Sequence, residues 1–293
     1  MGSCGRARGS NYTFLTQKER DLETGLDYFG ARYYGATHGR FTSADDFLND
    51  THVDDPASWN LYVYVRNNPL RYLDPTGEAV FSTNLTTDQK KKLIDDWQTK
   101  TGFKNIYFDK NNKLAIDTTA GFQGGSAKAR DQLSAAVNST DIRFNLKSVD
   151  TTKVAFADVG KGTTIQDGKG NTLRTDYLVQ LDFNDFKNAG GDPSAKEAFS
   201  VGIVTLHEFD HKIYNISDDP NSASDPGPLE RTYINPVRQE LGLPERVFYT
   251  SRPVDAAYKN FYPGGGQQLN FQLSGKTKAI RWRNDLVGGK VKD

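Results

Sequence analysis

The stretch VTLHEFDHKIYN, residues 204–215, sets two of the protein's four histidines, His207 and His211, four positions apart with Glu208 beside the first. On a helix, residues four apart project within about 40° of one another, so the two imidazoles aim at one point. Zinc accepts imidazole nitrogen, and its catalytic sites take three protein ligands and leave a fourth position open. Glu208 would lie beside that position. There a carboxylate takes a proton from water during attack on a carbonyl and passes it to the leaving amine. The alternative is a pair of half-exposed histidines on an amphipathic surface helix, with Glu208 and Asp210 as solvated charges. The preceding residues, FSVGIVTL, speak against it: they are apolar all round, which predicts a buried helix.

Composition narrows what else a metal site can use. The 293 residues hold a single cysteine, Cys4, in a polar leader, so a metal site must draw on histidine and carboxylate. The downstream carboxylates Asp218, Asp219, Asp225, Glu230 and Glu240 are the candidates for a third ligand, although Asp218 and Asp219 also suit a turn that ends the helix. Basic and acidic residues are equal in number, 37 and 37, and no basic run carries interleaved aromatics, which argues against nucleic acid. No apolar run approaches the roughly 18 residues of a membrane span. The N-terminal MGSCGRARGSNYTF lacks the apolar stretch of a secretory signal, so export is expected to use a route independent of a signal peptide.

The length favours two domains, and the vocabulary changes along the chain. Residues 19–77 are rich in Tyr, Arg, Asn and Gly and read as short strands between turns. NPLRYLDPTG closes that segment with two prolines and a glycine. Beyond it, TTDQKKKLIDDWQTKTG predicts a helix, NIYFDKNNKLAIDT a hairpin around Asn111-Asn112, and SAKARDQLSAAVNS a second helix. Residues 142–183 suggest several antiparallel strands, ending in DYLVQLDF. DPSAKEAFSVGIVTLHEFDHKIYNISDD is expected to form one helix of about five turns. A further helix ended by Gly242 and Pro244, then a hairpin in QLNFQLSGKTKAIRWRN, complete the chain. The Gly264–Gly266 run reads as a loop.

Three motifs in order, ERDLETGLDYFGARYY, GRFTSADDF and NLYVYVRNNPLRYLDPTG, resemble the conserved end of the Rhs/YD-repeat core. Members of that family build a β-strand shell around a C-terminal toxin. The likeness covers about a fifth of the chain and implies that the variable toxin begins after Asp74–Gly77. Residues 1–77 would then be the C-terminal part of the core, and residues 78–293 the effector. The family also cuts itself near this junction with paired aspartates that share a proton. Asp45, Asp46 and Asp74 stand where such residues could lie, or they cap turns. Two positions depart from the family pattern: Gly35, where an aspartate usually follows RYY, and Glu78, where a hydrophobic residue usually stands.

A short strand followed by a buried helix bearing HEFDH resembles the arrangement of zincin-type peptidases, in which that strand also lines the substrate cleft. The spacing from His211 to Glu230 resembles the gluzincin pattern, where a second helix supplies a glutamate ligand. INPVRQELGLPERVFY, together with HEFDH, is similar to the NleD-like effector metallopeptidases, through Asn235, Arg238, Glu240, Leu241, Gly242, Leu243, Pro244 and Arg246. Ile234 departs from that family, which usually has glutamate there. The likeness implies zinc-dependent cleavage of proteins in a host or competitor. Asn235 and Arg238, three apart on one helical face, are candidates to orient a ligand or bind a substrate carbonyl. Tyr233 or Tyr249 is a candidate phenol for the oxyanion.

The expectation is therefore an α+β, zincin-like metallopeptidase domain with its active-site helix beside a mostly antiparallel sheet, preceded by a short β-rich Rhs-core tail. Zn²⁺ would sit on His207, His211 and Glu230, with Glu208, Tyr233 and Arg238 as catalytic residues. Its expected partners are a target-cell protein as substrate, a cognate immunity protein and the Rhs shell of the parent protein. The place of action would be the cytoplasm of the cell into which it is delivered. Two rivals remain: a zinc amidase or peptidoglycan hydrolase on the same site, and a non-catalytic Rhs-tail binding module.

Overall fold

The computed structural model describes residues 19–21, 23–28, 32–43, 60, 62, 80–139, 141–151, 155–166, 170, 172–218 and 225–287. Cys4, Asp45, Asp46, Asp74 and Asp219 lie outside them, and with them the self-cleavage expectation. The chain divides into two compact units, Met1–Glu78 and Ala79–Asp293. None of the described helices is long and apolar enough to cross a membrane.

In the first unit four short strands form an antiparallel meander: β1 (Glu19–Arg20), β2 (Asp27–Tyr28), β3 (Tyr33–Gly35) and β4 (Arg40–Phe41). The β1–β2 turn is tied by the Asp21 side chain, which accepts from the Glu23 N–H at 2.9 Å and the Thr24 hydroxyl at 2.8 Å. Phe41 is buried under the Arg32 guanidinium, 3.7 Å above its ring, and meets Tyr34 edge to face.

The second unit is mixed α+β with several sheets. Its first part runs β5 (Val80–Ser82), α1 (Thr87–Thr101), β6 (Ile106–Phe108), β7 (Leu114–Ile116), α2 (Ala127–Val137) and β8 (Ile142–Ser148). α1 starts at a full capping box, with Thr86 and Gln89 exchanging side-chain bonds to each other's backbone, and ends at Gly102 in the left-handed region. β6 and β7 form the small hairpin expected from the sequence, with Asn112 at φ +62° in its turn. β9 (Ala157–Val159), β10 (Thr163–Gln166) and β11 (Thr172–Leu181) follow.

Here the structure departs from the expected antiparallel sheet. β5, β8 and β11 are mutually parallel neighbours, and only β9 and β10 run antiparallel, both along the outer edge of β11. Parallel strands require long crossovers, and α1 and α2 supply one between β5 and β8. Strand patterning alone says nothing of partner order, so the several antiparallel strands expected over 142–183 are found in β9 and β10 against β11 but not in β8, which runs parallel to β11.

The rest of the unit comprises α3 (Phe183–Asn188), β12 (Gly190–Gly191), α4 (Pro193–Ala198), α5 (Val201–Ile213), a π-helical turn at Glu230–Ile234 and α6 (Asn235–Glu240). A separate antiparallel sheet has the order β12–β16–β15–β13, with β14 also on β15. Its strands are β13 (Glu245–Arg246), β14 (Arg252–Pro253), β15 (Gly266–Leu273) and β16 (Lys276–Arg283). The β15–β16 turn places Ser274 and Gly275 at φ +51° and +74°, the pair of positive angles that matches strand twist in a two-residue hairpin.

The single helix of about five turns expected within residues 192–219 is broken. Phe199 (φ −124°, ψ 37°) and the extended Ser200 (φ −72°, ψ 160°) separate α4 from α5. Tertiary contacts explain the break. The Phe199 ring turns into an aromatic cluster, 5.0 Å from Phe156 and perpendicular to it. The start of α5 is meanwhile claimed by α1: the Asp96 carboxylate accepts the Gly202 N–H at 2.6 Å, and the Trp97 indole donates to the Gly202 carbonyl at 3.2 Å. A Cβ at 202 would fall 2.8 Å from Asp96 Oδ2, so only glycine allows this approach. Lys100, buried at the end of α1, pairs with Asp96 at 3.4 Å and with Glu197 of α4.

Candidate metal centre

Every residue of α5 from Val201 to Asp210 is buried. Phe209 sets the helix's rotation: its ring lies 4.4 Å from Phe144 on β8 and 6.1 Å from Trp97 on α1. With Phe209 in the core, His207 and His211 share another face. Their rings stand perpendicular with centroids 4.8 Å apart.

The chain then folds back over them. Asn215 adopts φ +49°, a left-handed conformation that asparagine tolerates at helix ends. That reversal carries Asp218 onto the histidine pair. His211 Nε2 lies 2.9 Å from Asp218 Oδ2, and His207 Nε2 lies 3.2 Å from Asp218 Oδ1. Among the described residues, His207, His211 and Asp218 form a group whose ligand atoms all lie within 4.8 Å of one another. Gly227 lets the returning chain close on this point, since a Cβ there would meet the Asp218 carbonyl oxygen at 2.8 Å.

The outer nitrogens of both rings face oxygen acceptors. His211 Nδ1 donates to the Ile216 carbonyl at 2.8 Å, which leaves Nε2 bare. His207 Nδ1 is buried and approaches Glu230 Oε1 at 3.3 Å, close enough for charge attraction but short of hydrogen-bond alignment. The Tyr249 hydroxyl donates to Asp218 Oδ2 at 2.8 Å. Asp218 Oδ1 is buried without a hydrogen bond.

The electrostatics favour positive charge. Burial works against protonation of His207, but Asp218 and Glu230 outweigh it and push its pKa up to about 10. Burial likewise opposes ionisation of Asp218, and the bonds from His207 and His211 outweigh it, holding its carboxyl well below the usual range. Glu208 responds the other way: burial pushes its carboxyl up, against the charges of the two histidines. Asp218, and Asp158 on β9, act on Glu208 in the same upward direction, so it lies within electrostatic reach of the cluster and of the edge strand. Asp210 is fully buried with neither oxygen bonded, and burial raises its pKa well above the ordinary value, against the charge of His207.

These positions bear on three sequence expectations. Glu230 is not in the converging group: its carboxylate stands behind His207, held by Arg238 and by Arg246 at 3.0 Å. Asp218 takes the place nearest the two Nε2 atoms instead, because the turn at Asn215 returns the chain after less than two turns' worth of residues. Arg238 is 1% exposed and spends its donors on Glu230, on Asn235 Oδ1 at 2.9 Å and on the Ala198 carbonyl at 2.9 Å, so it acts inside the fold. Tyr233 stacks on Tyr214 with centroids 4.1 Å apart, and the phenol that reaches the cluster is that of Tyr249. Asp225, another ligand candidate, pairs with Arg231 and accepts from the Gly227 N–H, and Glu240 accepts from Ser126 at the start of α2.

Two imidazole nitrogens and one carboxylate on a buried helix and its returning loop, with a glutamate alongside, define a candidate His₂–carboxylate metal centre. Comparisons with known proteins bear on the chain's context. A stretch of 82 residues is 50% identical to toxin subunit YenC2 of Yersinia entomophaga, covering 26% of this chain and 8% of that protein. A stretch of 101 residues is 36% identical to toxin subunit YenC1 of the same organism, covering 34% of this chain and 10% of that protein. The likeness thus spans about a tenth or less of these relatives' length. It supports a toxin-related context of the Rhs type. No family model matches the chain, and no solved structure matches it.

Proposed function

We propose that the unit Ala79–Asp293 is a zinc-dependent endopeptidase of zincin-like design, carried as the toxin part of an Rhs-type protein. The observation that carries this reading is the convergence of His207 Nε2, His211 Nε2 and the Asp218 carboxylate, with both Nδ1 atoms turned towards oxygen acceptors. Ligand atoms bound to tetrahedral zinc at about 2.0–2.2 Å lie about 3.3 Å from one another. Asp218 Oδ2 stands 2.9 Å from His211 Nε2 and 3.4 Å from His207 Nε2, separations of that size. The unbonded, buried Asp218 Oδ1 adds a lone pair in want of a partner, and the donor set of two imidazoles and one carboxylate is one zinc accepts.

Bound there, zinc would polarise a carbonyl and lower the pKa of water to about 7. Glu208, beside His207, would take the proton as the water oxygen bonds to the peptide carbonyl carbon, then return it to the amine nitrogen as the C–N bond breaks. Tyr249, whose hydroxyl donates to Asp218 at 2.8 Å, would hold that carboxylate in place. The substrate would be a protein of a target cell, reached by delivery with the Rhs shell and acting in that cell's cytoplasm. A producing cell would carry an immunity protein.

The test is metal content by mass spectrometry of the wild type and of Glu208→Gln, together with toxicity on expression and a census of new protein N-termini in the target lysate. The proposal expects about one zinc per chain in both, with killing and new N-termini from the wild type alone. Killing without new N-termini would move the reading to an amidase or wall hydrolase. Absence of zinc from protein purified without chelator would end the metal reading.

A further inference from the structure

Behind the three ligand atoms stands a second group of charged residues that the peptidase chemistry does not use. Glu230 is 1% exposed in the π-helical turn, with Arg238 on one oxygen and Arg246 on the other at 3.0 Å. Arg246 is itself held at both backbone ends: Asn235 Oδ1 accepts its N–H and Asn235 Nδ2 donates to its carbonyl, each at 2.9 Å. Its guanidinium continues to the Phe248 carbonyl at 3.0 Å and the Tyr249 carbonyl, and lies 5.0 Å from the centre of the Tyr249 ring. One arginine therefore touches the carboxylate behind His207 and the residue whose hydroxyl holds Asp218.

Burying the Glu230–Arg238 pair, with the half-buried Arg246 beside it, is a poor way to gain stability, because desolvation consumes most of the attraction. Such a group is better explained by what it orients. Metal-binding histidines usually donate their second N–H to a carboxylate or carbonyl, which fixes tautomer and ring direction. His211 meets this rule through Ile216, and for His207 the acceptor within reach is Glu230. The 3.3 Å gap is of the kind that tightens when a site is loaded.

We infer that Glu230 and Arg246 are positioning residues for two of the three zinc ligands: Glu230 orients His207 through Nδ1, and Arg246 fixes Glu230 together with the Tyr249 that orients Asp218. The inference rests on the zinc reading above.

The test uses the full chain. Zinc affinity by chelator competition and the visible spectrum of the Co²⁺-substituted protein are measured for wild type, Glu230→Gln, Tyr249→Phe and His211→Ala. Glu230→Gln is expected to bind zinc about 10–100-fold more weakly, with a shifted Co²⁺ spectrum and the wild-type ligand count, and Tyr249→Phe to lose less. On zinc-loaded wild type, imidazole ¹⁵N shifts are expected to report His207 protonated at Nδ1 and metal-bound at Nε2. That reading decides the matter should Glu230→Gln not fold. If the wild type takes no zinc, the peptidase reading and this inference fall together. If it takes zinc while Glu230→Gln keeps its affinity and Co²⁺ spectrum, the inference alone fails. It fails equally if Glu230→Gln loses metal as fully as His211→Ala, which would make Glu230 a ligand, or if His207 carries its proton on Nε2.

Discussion

Polar groups are buried in two parts of the second unit and are handled differently. On the antiparallel sheet, Gln268 is 1% exposed, and its amide donates to Asp255 and Asn270, each at 3.0 Å, while its oxygen accepts the Asp255 N–H at 3.1 Å. That amide is closed on itself. At the end of α5, His207 Nδ1 and Asp218 Oδ1 are buried without hydrogen bonds, although each has an oppositely charged group just beyond 3 Å. Since nearly all buried polar atoms in folded proteins find partners, a set that saturates itself marks architecture. A set that leaves a converging oxygen short, as at Asp218 Oδ1, is the arrangement on which the proposed metal site rests. Unbonded buried atoms also occur elsewhere among the described residues, at Ser82 Oγ, Gln132 Oε1, Ser200 Oγ, both Asp210 oxygens and Arg281 Nε, so the contrast rests on the Asp218 carboxylate standing beside two imidazoles.

The sharpest way to break this contrast is to remove a converging atom. His211→Ala should lower zinc affinity by well over about a hundredfold, beyond the range of changes one contact further out. Chelator competition reads it, and an unchanged affinity would mean that the cluster is as self-contained as the Gln268 network. Glu208→Gln separates holding a metal from using it. Zinc content should stay while hydrolysis drops about 10²–10⁴-fold, the usual worth of a general base, measured on a casein-type substrate or as loss of toxicity. Gln268→Leu probes the other region. Leaving the buried Asn270 short of a partner should cost about 1–3 kcal/mol in urea unfolding, with zinc affinity untouched.

The smallest effect concerns Glu240, on the surface away from both. Slight burial works against its charge, but bonds from the Ser126 hydroxyl and the Lys128 N–H outweigh it and hold its pKa below the ordinary value. A carboxylate with a depressed folded pKa contributes stability above its unfolded pKa of about 4.3 and loses it as pH falls through the folded value. Glu240→Gln should therefore be slightly less stable than wild type at pH 7. The gap should close on acidification, in unfolding curves taken from pH 7 down to pH 3.

Local signals were legible where the physics is local. Thr86 and Gln89 announce the start of α1, Gly102 its end, and Ser274-Gly275 the tight turn of the last hairpin. HEFDH brings His207 and His211 to one face for the same reason, since a spacing of four needs only a helix. Asp218 was harder to read. As a residue just past a helix it serves a turn equally well, and nothing in NISDD states that Asn215 turns left-handed. Glu230 misled because its separation from His211 suits a second-helix ligand, whereas Arg238 and Arg246 draw its carboxylate to the far side of His207. The signal that bears on its role was the run from Asn235 to Arg246, in which Asn235, Arg238 and Arg246 gather around Glu230 rather than around the converging atoms.

By itself the sequence determined the spacing of the histidine pair, the burial of the helix that bears it, the change of vocabulary near residue 78 and the kinds of ligand available. These follow from helical periodicity, from hydrophobic run length and from having one cysteine. Only the tertiary structure decided the order of β5, β8 and β11, the break at Phe199, and which carboxylate and which phenol stand nearest the two Nε2 atoms: Asp218 and Tyr249. Each of those depends on which distant groups compete for the same few ångströms: Asp96 for the start of α5, the Phe156 ring for Phe199, two arginines for Glu230. A linear sequence carries no measure of that competition.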